Sequence, residues 1–569
     1  MGLFRRRPPP GAPPPEPPRE PPGASEARNR ETDRMLAYHE RTKHSYASVM
    51  RSGWTLDWDN QPNPFRRYAG APRLSLPPAH GLPQELLPLR ATGDVLRALA
   101  GPPEGSEGWR AGLPLLSSLL WHSLAVSAWK QVPGTDVRYS LRVNPSSGNL
   151  HPTEAHLLAA GVPGVPDGAL HYDARRHALE LRRTGAALPA LLDACGLPPG
   201  DGVVVVLSSI FWREAWKYRD RAYRYCLHDA GHAAGCVAAA ARALQLPAAV
   251  HGWFPDVAVR GLLGLADGDE QPLVLVDLRQ AASARASAGH TDALSAPAGT
   301  PNVLSAEEQP WPLIDGMHAS TLVESAHCPL VAPAGDPLAD TPRGSRPADG
   351  ARRLLPLPDS PPAPEPFARA ARRRRSALDY DPDARLALPD FAGLLLEATR
   401  LPRADATASL DGGEPRRLIE LYAWVHRVDD LAPGCWRYLP ERHALLEVQL
   451  GDVRGVAAGL SLGQELAGRA VAAFSMIADL ARAGAAFGCR GYRLAHVEAG
   501  LIGQGLYLAA TARGWESTGI GAFFDDDVHR WLGLQGHARQ VIYHHSVGRA
   551  VPDPRLVDSD EAVDMRDPT

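Results

Sequence analysis

Apolar positions along this chain fall into two textures. Four short runs, "DGVVVVLSSIF", "QPLVLVDL", "RAVAAFSMIADL" and "RQVIYHHSV", are rich in β-branched residues and bounded by polar or turn residues, the mark of strands. Two longer runs, "LHDAGHAAGCVAAAARAL" and "HVEAGLIGQGLYLAATA", are apolar nearly throughout and read as buried helices. Their many Gly and Ala residues would let two helices approach closely. The run that follows "LRVNPSSGNLHPTE" reads as a further apolar helix beginning near Thr153. Strands and helices mix in both halves, so the expected class is α+β.

The pattern also repeats. Residues 221–265 align without a gap on 490–534, at an offset of 269 residues, and 166–181 align on 432–447 at an offset of 266. Arg221, Tyr223, Arg224, Gly231, Gly252, Phe254 and Asp256 recur as Arg490, Tyr492, Arg493, Gly500, Gly521, Phe523 and Asp525. Two blocks in the same order at nearly the same offset predict a tandem duplication, its halves packed as the subunits of a homodimer would be. The expected layout is a Pro-rich disordered tail (1–30), a first domain (31–280), an Ala/Pro/Ser/Gly-rich linker (281–366), a second domain (367–556) and an acidic tail (557–569). Within the linker, "QPWPLIDGMHASTLVE" is apolar enough to dock on a domain.

Composition narrows the function. A net charge of −4 and a pI near 6.6 over 569 residues argue against a nucleic-acid binder. No run reaches the roughly 18 apolar residues of a membrane span, and the basic N-terminus lacks the apolar stretch of a signal peptide. The six cysteines form no CxxC pair, so reduced thiols and a cytoplasmic location are expected. No metal site is expected, because His544 and His545 alternate on a strand and face apart. Lysine is scarce: only Lys43, Lys130 and Lys217 occur.

The most unusual local feature is "NPSSGNLHPTE". Ser146, Ser147 and Asn149 offer polar groups, Gly148 lets the backbone approach a flat ligand, and Pro145 and Pro152 fix the turn. Such a loop suits the oxygens of a flavin mononucleotide. A Ser- or Asx-type turn capping a following helix is an equal reading of these residues alone.

Together with "RRRRSALDYD", "KYRDRAYRY", "DAGH" and "GIGAFFDD", the motif resembles the flavin-dependent nitroreductase superfamily. The SagB-type dehydrogenases, which include azoline oxidases, are the branch it looks most like, and the resemblance covers most of both halves. It implies two tandem nitroreductase-like domains forming an intramolecular pseudodimer, with FMN as cofactor. It further implies one composite site: Pro145, Ser146, Ser147, Gly148 and Asn149 from the first half, with Arg374, Arg375, Ser376, Gly519, Ile520, Gly521 and Arg549 from the second. Leu378 departs from the family pattern, which often carries a basic residue there. The mirror site would combine Arg41 and Lys43 with "DGGEP" (411–415), whose Asp411 and Glu414 would repel a phosphate, so it is read as decayed.

Lys217 and Tyr218 resemble the Lys-Tyr pair that azoline oxidases use in proton transfer. A lysine acting as a base needs burial beside apolar groups, here Trp212 and Trp216, or a nearby cation from Arg213, Arg219 or Arg221. The resemblance thus implies an oxidoreductase acting on a small molecule or a modified peptide, with NAD(P)H a candidate electron donor and further self-association left open. The alternative is a non-catalytic binding or scaffold member of a biosynthetic complex that keeps the fold.

Overall fold

The computed structural model describes residues 24–51, 53, 55–101, 108–280, 293–326, 353–404 and 417–558. Most of the N-terminal and acidic tails, much of the expected linker and the "DGGEP" loop lie outside them. The described chain forms the expected α+β pseudodimer, two halves built on one plan.

In the first half the strand order is Ala249–His251, Gln271–Asp277, Gly202–Ser209, Thr153–Ala160, Gly168–Asp173, Ala178–Thr184, Arg73–Ser75. The second half repeats it as Glu516–Ile520, Arg539–Gly548, Ala472–Asp479, Ile419–Val425, Gly434–Leu439, Ala444–Leu450, Leu354–Pro356. Even an irregularity recurs. The first sheet skips Leu273 between the pairs Pro272–Ser208 and Val274–Leu207. The second skips Ile542, 269 residues on, between Val541–Ile477 and Tyr543–Met476. The four runs read as strands are strands.

The run after the Pro-Ser-Ser loop is not a helix. Thr153–Ala160 is a central strand with all eight residues buried, hydrogen-bonded to a strand on either side. A strand covered on both faces loses the polar-apolar alternation, and its continuous apolar texture then mimics a buried helix.

The two runs read as buried helices, Ala222–Ala243 and Arg490–Thr511, are each 22 residues long and buried from end to end. They pack against each other and join the halves. A Cβ built on Gly231 would overlap the Val497 carbonyl and stand 2.9 Å from the Gly500 Cα; one on Gly500 would overlap the His228 carbonyl. Only glycine permits that crossing.

The other recurring residues exchange partners across the same axis. Arg221 and Arg224 pair with Asp525 at 3.0 and 2.9 Å, while Arg490 and Arg493 pair with Asp256, both at 2.8 Å. Arg221 lies over the Phe523 ring and Arg490 over the Phe254 ring, at 4.7 and 4.8 Å. Each crossing is capped by a helix preceding its own half. After Ala24–Arg41, the Thr42 carbonyl accepts from Arg221; after Pro312–Thr321 begins, the Thr321 carbonyl accepts from Arg490. The latter helix is the apolar piece of the expected linker, and it docks with Ile314, Met317, His318 and Thr321 buried.

Candidate functional site

Of the residues expected to meet between the halves, all but Arg549 do meet. Pro145–Asn149 of the first half, with Arg374–Ser376 and Gly519–Gly521 of the second, line one cleft of about 1370 Å³. Tyr218 lines it too. Lys217 is half-buried beside it: a Cβ on Gly148 would stand 2.6 Å from the Tyr218 hydroxyl and 3.2 Å from Lys217 Nζ. Gly148 holds φ at +58°, a conformation glycine adopts freely, so the loop can lie flat against that pair. Arg549 is not among the lining residues; its guanidinium stacks over Trp515 at 4.6 Å.

The loop is organised by a residue the sequence reading did not select. Asp229, on the first long helix, accepts from the Ser146 hydroxyl at 2.7 Å and from the Ser147 hydroxyl and amide at 2.9 and 3.0 Å. The serine hydroxyls therefore point at this carboxylate. Asn149 ties the loop to the neighbouring hairpin by donating to the Ser140 carbonyl at 2.9 Å. Burial pushes the Asp229 carboxyl up to about 7 against the pull of those three donors. At the offset of 269 stands Glu498, which accepts from the Leu418 and Ile419 amides at 3.0 and 3.2 Å and is likewise pushed up by burial to about 7. A carboxylate at the same place in two Ala/Gly-rich helices was a visible signal; the change from Asp to Glu hid it.

The arm from the second half clasps the first. Arg374 donates to the carbonyls of Val143 and Arg142, at 2.8 and 3.1 Å, and lies over the Tyr507 ring. Arg375 donates to the Ser127 carbonyl at 3.0 Å. Ser376 and the Gly519 amide both bond the Tyr507 hydroxyl, at 2.8 and 2.9 Å. Gly519 and Gly521 are close-approach positions, but what approaches is tyrosine: an added Cβ would overlap Tyr543 and Tyr225 respectively.

Several buried polar atoms on residues of this wall have no protein partner: Arg142 Nε, Asn144 Oδ1, His151 Nδ1 and Arg374 Nη1. A buried donor or acceptor left unmatched costs about 1–3 kcal/mol, so such a wall fits a polar ligand. Burial lowers His232 to about 3, leaving its ring neutral, and raises the Tyr218 and Tyr543 hydroxyls. Deeper, Glu214 is fully buried with neither carboxylate oxygen partnered, and burial, then Asp229, raises its carboxyl well above the usual range. Of the surroundings expected for Lys217, Trp212 bonds Ser305 and Trp216 bonds the Asp57 carbonyl. Arg213 is paired with Glu154 and Arg221 with Asp525.

The mirror positions differ in kind. Tyr218, Tyr225 and His232 face Phe487, Leu494 and Leu501 at the offset of 269, and Tyr507 and Tyr543 face Ala238 and Val274. Lys43, expected in the mirror arm, pairs instead with Glu40 at 2.7 Å and Asp526 at 2.8 Å. Among the described residues no cluster of three or more metal-ligating side chains occurs; His544 bonds Ser475 and His545 bonds Ser517. No described helix is long and apolar enough to cross a membrane.

Comparison with known proteins agrees with this layout. Residues 371–549 match the Nitroreductase family model, so the second half carries a domain of that family. A Methanocaldococcus jannaschii protein assigned as a nitroreductase is 26% identical over 163 residues, 29% of this chain and 82% of its own length. A solved structure from Anabaena variabilis, also assigned as a nitroreductase, is 26% identical with a TM-score of 0.66. That match covers 91% of this chain and 99% of the other, so the nitroreductase-like fold extends over both halves.

Proposed function

We propose that this chain is an FMN-dependent oxidoreductase of SagB-type dehydrogenase character, a tandem duplication in which one of two flavin sites survives. The observation that carries the reading is the convergence of Pro145–Asn149, Arg374–Ser376 and Gly519–Gly521, from opposite halves, on one cleft. The orphaned Arg374 Nη1 can donate to a phosphate or ring oxygen of FMN, and the orphaned Asn144 Oδ1 can accept from the ring N–H. When bound, FMN supplies two-electron redox chemistry.

The chain's own residues do the rest. Arg374 and Arg375 hold the two halves at the distance the ligand needs, while Asp229 fixes the Ser146–Ser147 turn. Lys217 Nζ and Tyr218 Oη, side by side against Gly148, accept and relay the proton of a substrate that loses one. Glu214, on the same helix turn, is a buried carboxyl behind them; its counterpart is Ala483.

The test is cofactor extraction from purified protein, with flavin identity and stoichiometry. One FMN per chain is expected. Two per chain would show a working mirror site, FAD would remove the family reading, and a colourless protein would return the chain to a scaffold role. Ser147→Asp, which sets a second carboxylate beside Asp229, and Arg375→Glu, from the other half, should each empty the site.

A further inference from the structure

Asp229 lines the cleft from the first long helix, and all its hydrogen-bond donors belong to the Ser146–Ser147 turn. Those donors are neutral, and Asp229 makes no ion pair among the described residues. The buried carboxylates of the helix crossing are placed otherwise: Asp525 and Asp256 each face two guanidiniums.

The ionisable groups around Asp229 are weak acids. Glu214 and Tyr218 face it from the Phe211–Tyr218 helix, Tyr543 from the second half, and Cys226 from its own helix. His232, one turn further along, is held neutral by burial. Lys217 acts on Glu214, whose carboxyl burial nonetheless keeps well above the usual range and therefore protonated. Asp229 is the group poised to change: burial, against the pull of the two serines, brings its carboxyl to about 7.

Resting on the flavin reading of this cleft, we propose that Asp229 is a redox-linked proton site, binding a proton from water when the flavin is reduced and releasing it on reoxidation. The charges balance. A hydride donor breaks a C–H bond and delivers hydrogen with two electrons, so one net negative charge enters the cleft. That charge has the sign of the Asp229 carboxylate and raises its proton affinity by about tenfold or more. An O–H bond then forms on the carboxylate with a proton from water, and the added charge is cancelled. When the two electrons leave, the proton returns to solvent. Glu214, protonated throughout, adds no second negative charge. The protonated Asp229 carboxyl keeps an acceptor oxygen for the serine turn, so the loop stays in place through the cycle.

The test is a potentiometric titration of flavin-loaded protein from about pH 5 to about pH 9, wild type beside Asp229→Asn. Asparagine keeps an acceptor oxygen for the loop but cannot ionise. The two midpoint potentials should lie together near pH 5, where both side chains are neutral. As pH rises past about 7 the wild-type potential should fall below the variant's, by about 30 mV for each tenfold of added proton affinity. A gap that is constant across pH, or no gap, overturns the inference. A second measurement needs no variant. Infrared difference spectra of wild-type protein, reduced minus oxidised at about pH 8, should show a new protonated-carboxyl band, and its absence also overturns the inference. Glu214→Gln should keep both signals; their loss there and retention in Asp229→Asn would put the proton on Glu214 and overturn the assignment. Flavin content of the same preparations decides the FMN reading separately. Protein that takes up no flavin removes that reading and this inference with it; flavin-loaded protein with parallel potentials removes the inference alone.

Discussion

Lys217 is one of three lysines in the chain, and its neighbour Tyr218 touches the same glycine. Arginine cannot serve as a neutral base, because it stays protonated. Lys217→Arg is therefore expected to keep the flavin and the charge but lose turnover of any substrate that must shed a proton, by about 100-fold or more. Quinone reduction, which removes no substrate proton, should survive; parallel assays on the two substrate types check this. Asp229 carries a second expectation. Its carboxyl is raised to about 7 in the fold against about 4 in the unfolded chain, so the folded state binds the proton more tightly. Its contribution to stability is full below about pH 4 and is lost as pH rises toward 7. Asp229→Asn should thus gain on the wild type between pH 5 and pH 8, by about 3 kcal/mol at most. Melting temperatures of both proteins across that range would show a constant difference if the carboxylate were merely an exposed acceptor. The serine loop was legible in sequence and its chief partner was not, because Asp229 lies 82 residues beyond Ser147.

At the scale of elements, the crossing of the two long helices is the tightest constraint, since Gly231 and Gly500 leave no room for a Cβ. Gly231→Ala must push the helices apart and should cost about 1–3 kcal/mol. Helix propensity alone would have favoured alanine by about 1 kcal/mol, so the sign of the measured change separates packing from propensity. Flavin affinity should fall with it, because Asp229 and Tyr225 sit on the displaced helix and Tyr507 on its partner. These helices and four inner strands could be read from texture: the helices are long Ala/Gly-rich runs, and the strands are short, β-branched and bounded by polar or turn residues. Thr153–Ala160 could not. Its neighbour Gly202–Ser209 is just as buried and paired on both edges but carries four valines, whereas "TEAHLLAA" is built largely of the helix-favouring Glu, Ala and Leu.

For the whole molecule, the repeat predicted from sequence was a statement about structure first and chemistry second. The residues that recur identically, Arg221/Arg490, Arg224/Arg493, Gly231/Gly500 and Asp256/Asp525, are those that hold one half against the other. Of those that line the cleft, Gly521 recurs as Gly252, but Tyr218, Tyr225, Asp229, His232, Tyr507 and Tyr543 do not recur. Identity between the halves thus marks the pseudo-twofold axis, and difference marks the site, a distinction that alignment shows but cannot interpret without the contacts. It leads to an asymmetric expectation from a symmetric pair. Asp525→Asn strands Arg221 and Arg224, and Asp256→Asn strands Arg490 and Arg493, in equally buried surroundings. Each should lower stability by about 3–5 kcal/mol, because a buried guanidinium is left without its counter-charge. Only one should disturb the proposed flavin site. Arg221 also donates to the Gly521 carbonyl at 3.1 Å, and Gly521 lines the cleft; Arg490 makes the matching bond to the Gly252 carbonyl, which does not. Flavin titration well below both melting transitions should therefore find weakened FMN binding in Asp525→Asn and near-normal binding in Asp256→Asn. Equal weakening in the two would mean that the ion pairs act on the cleft only through overall stability, and that the axis does not distinguish the proposed site from its mirror position.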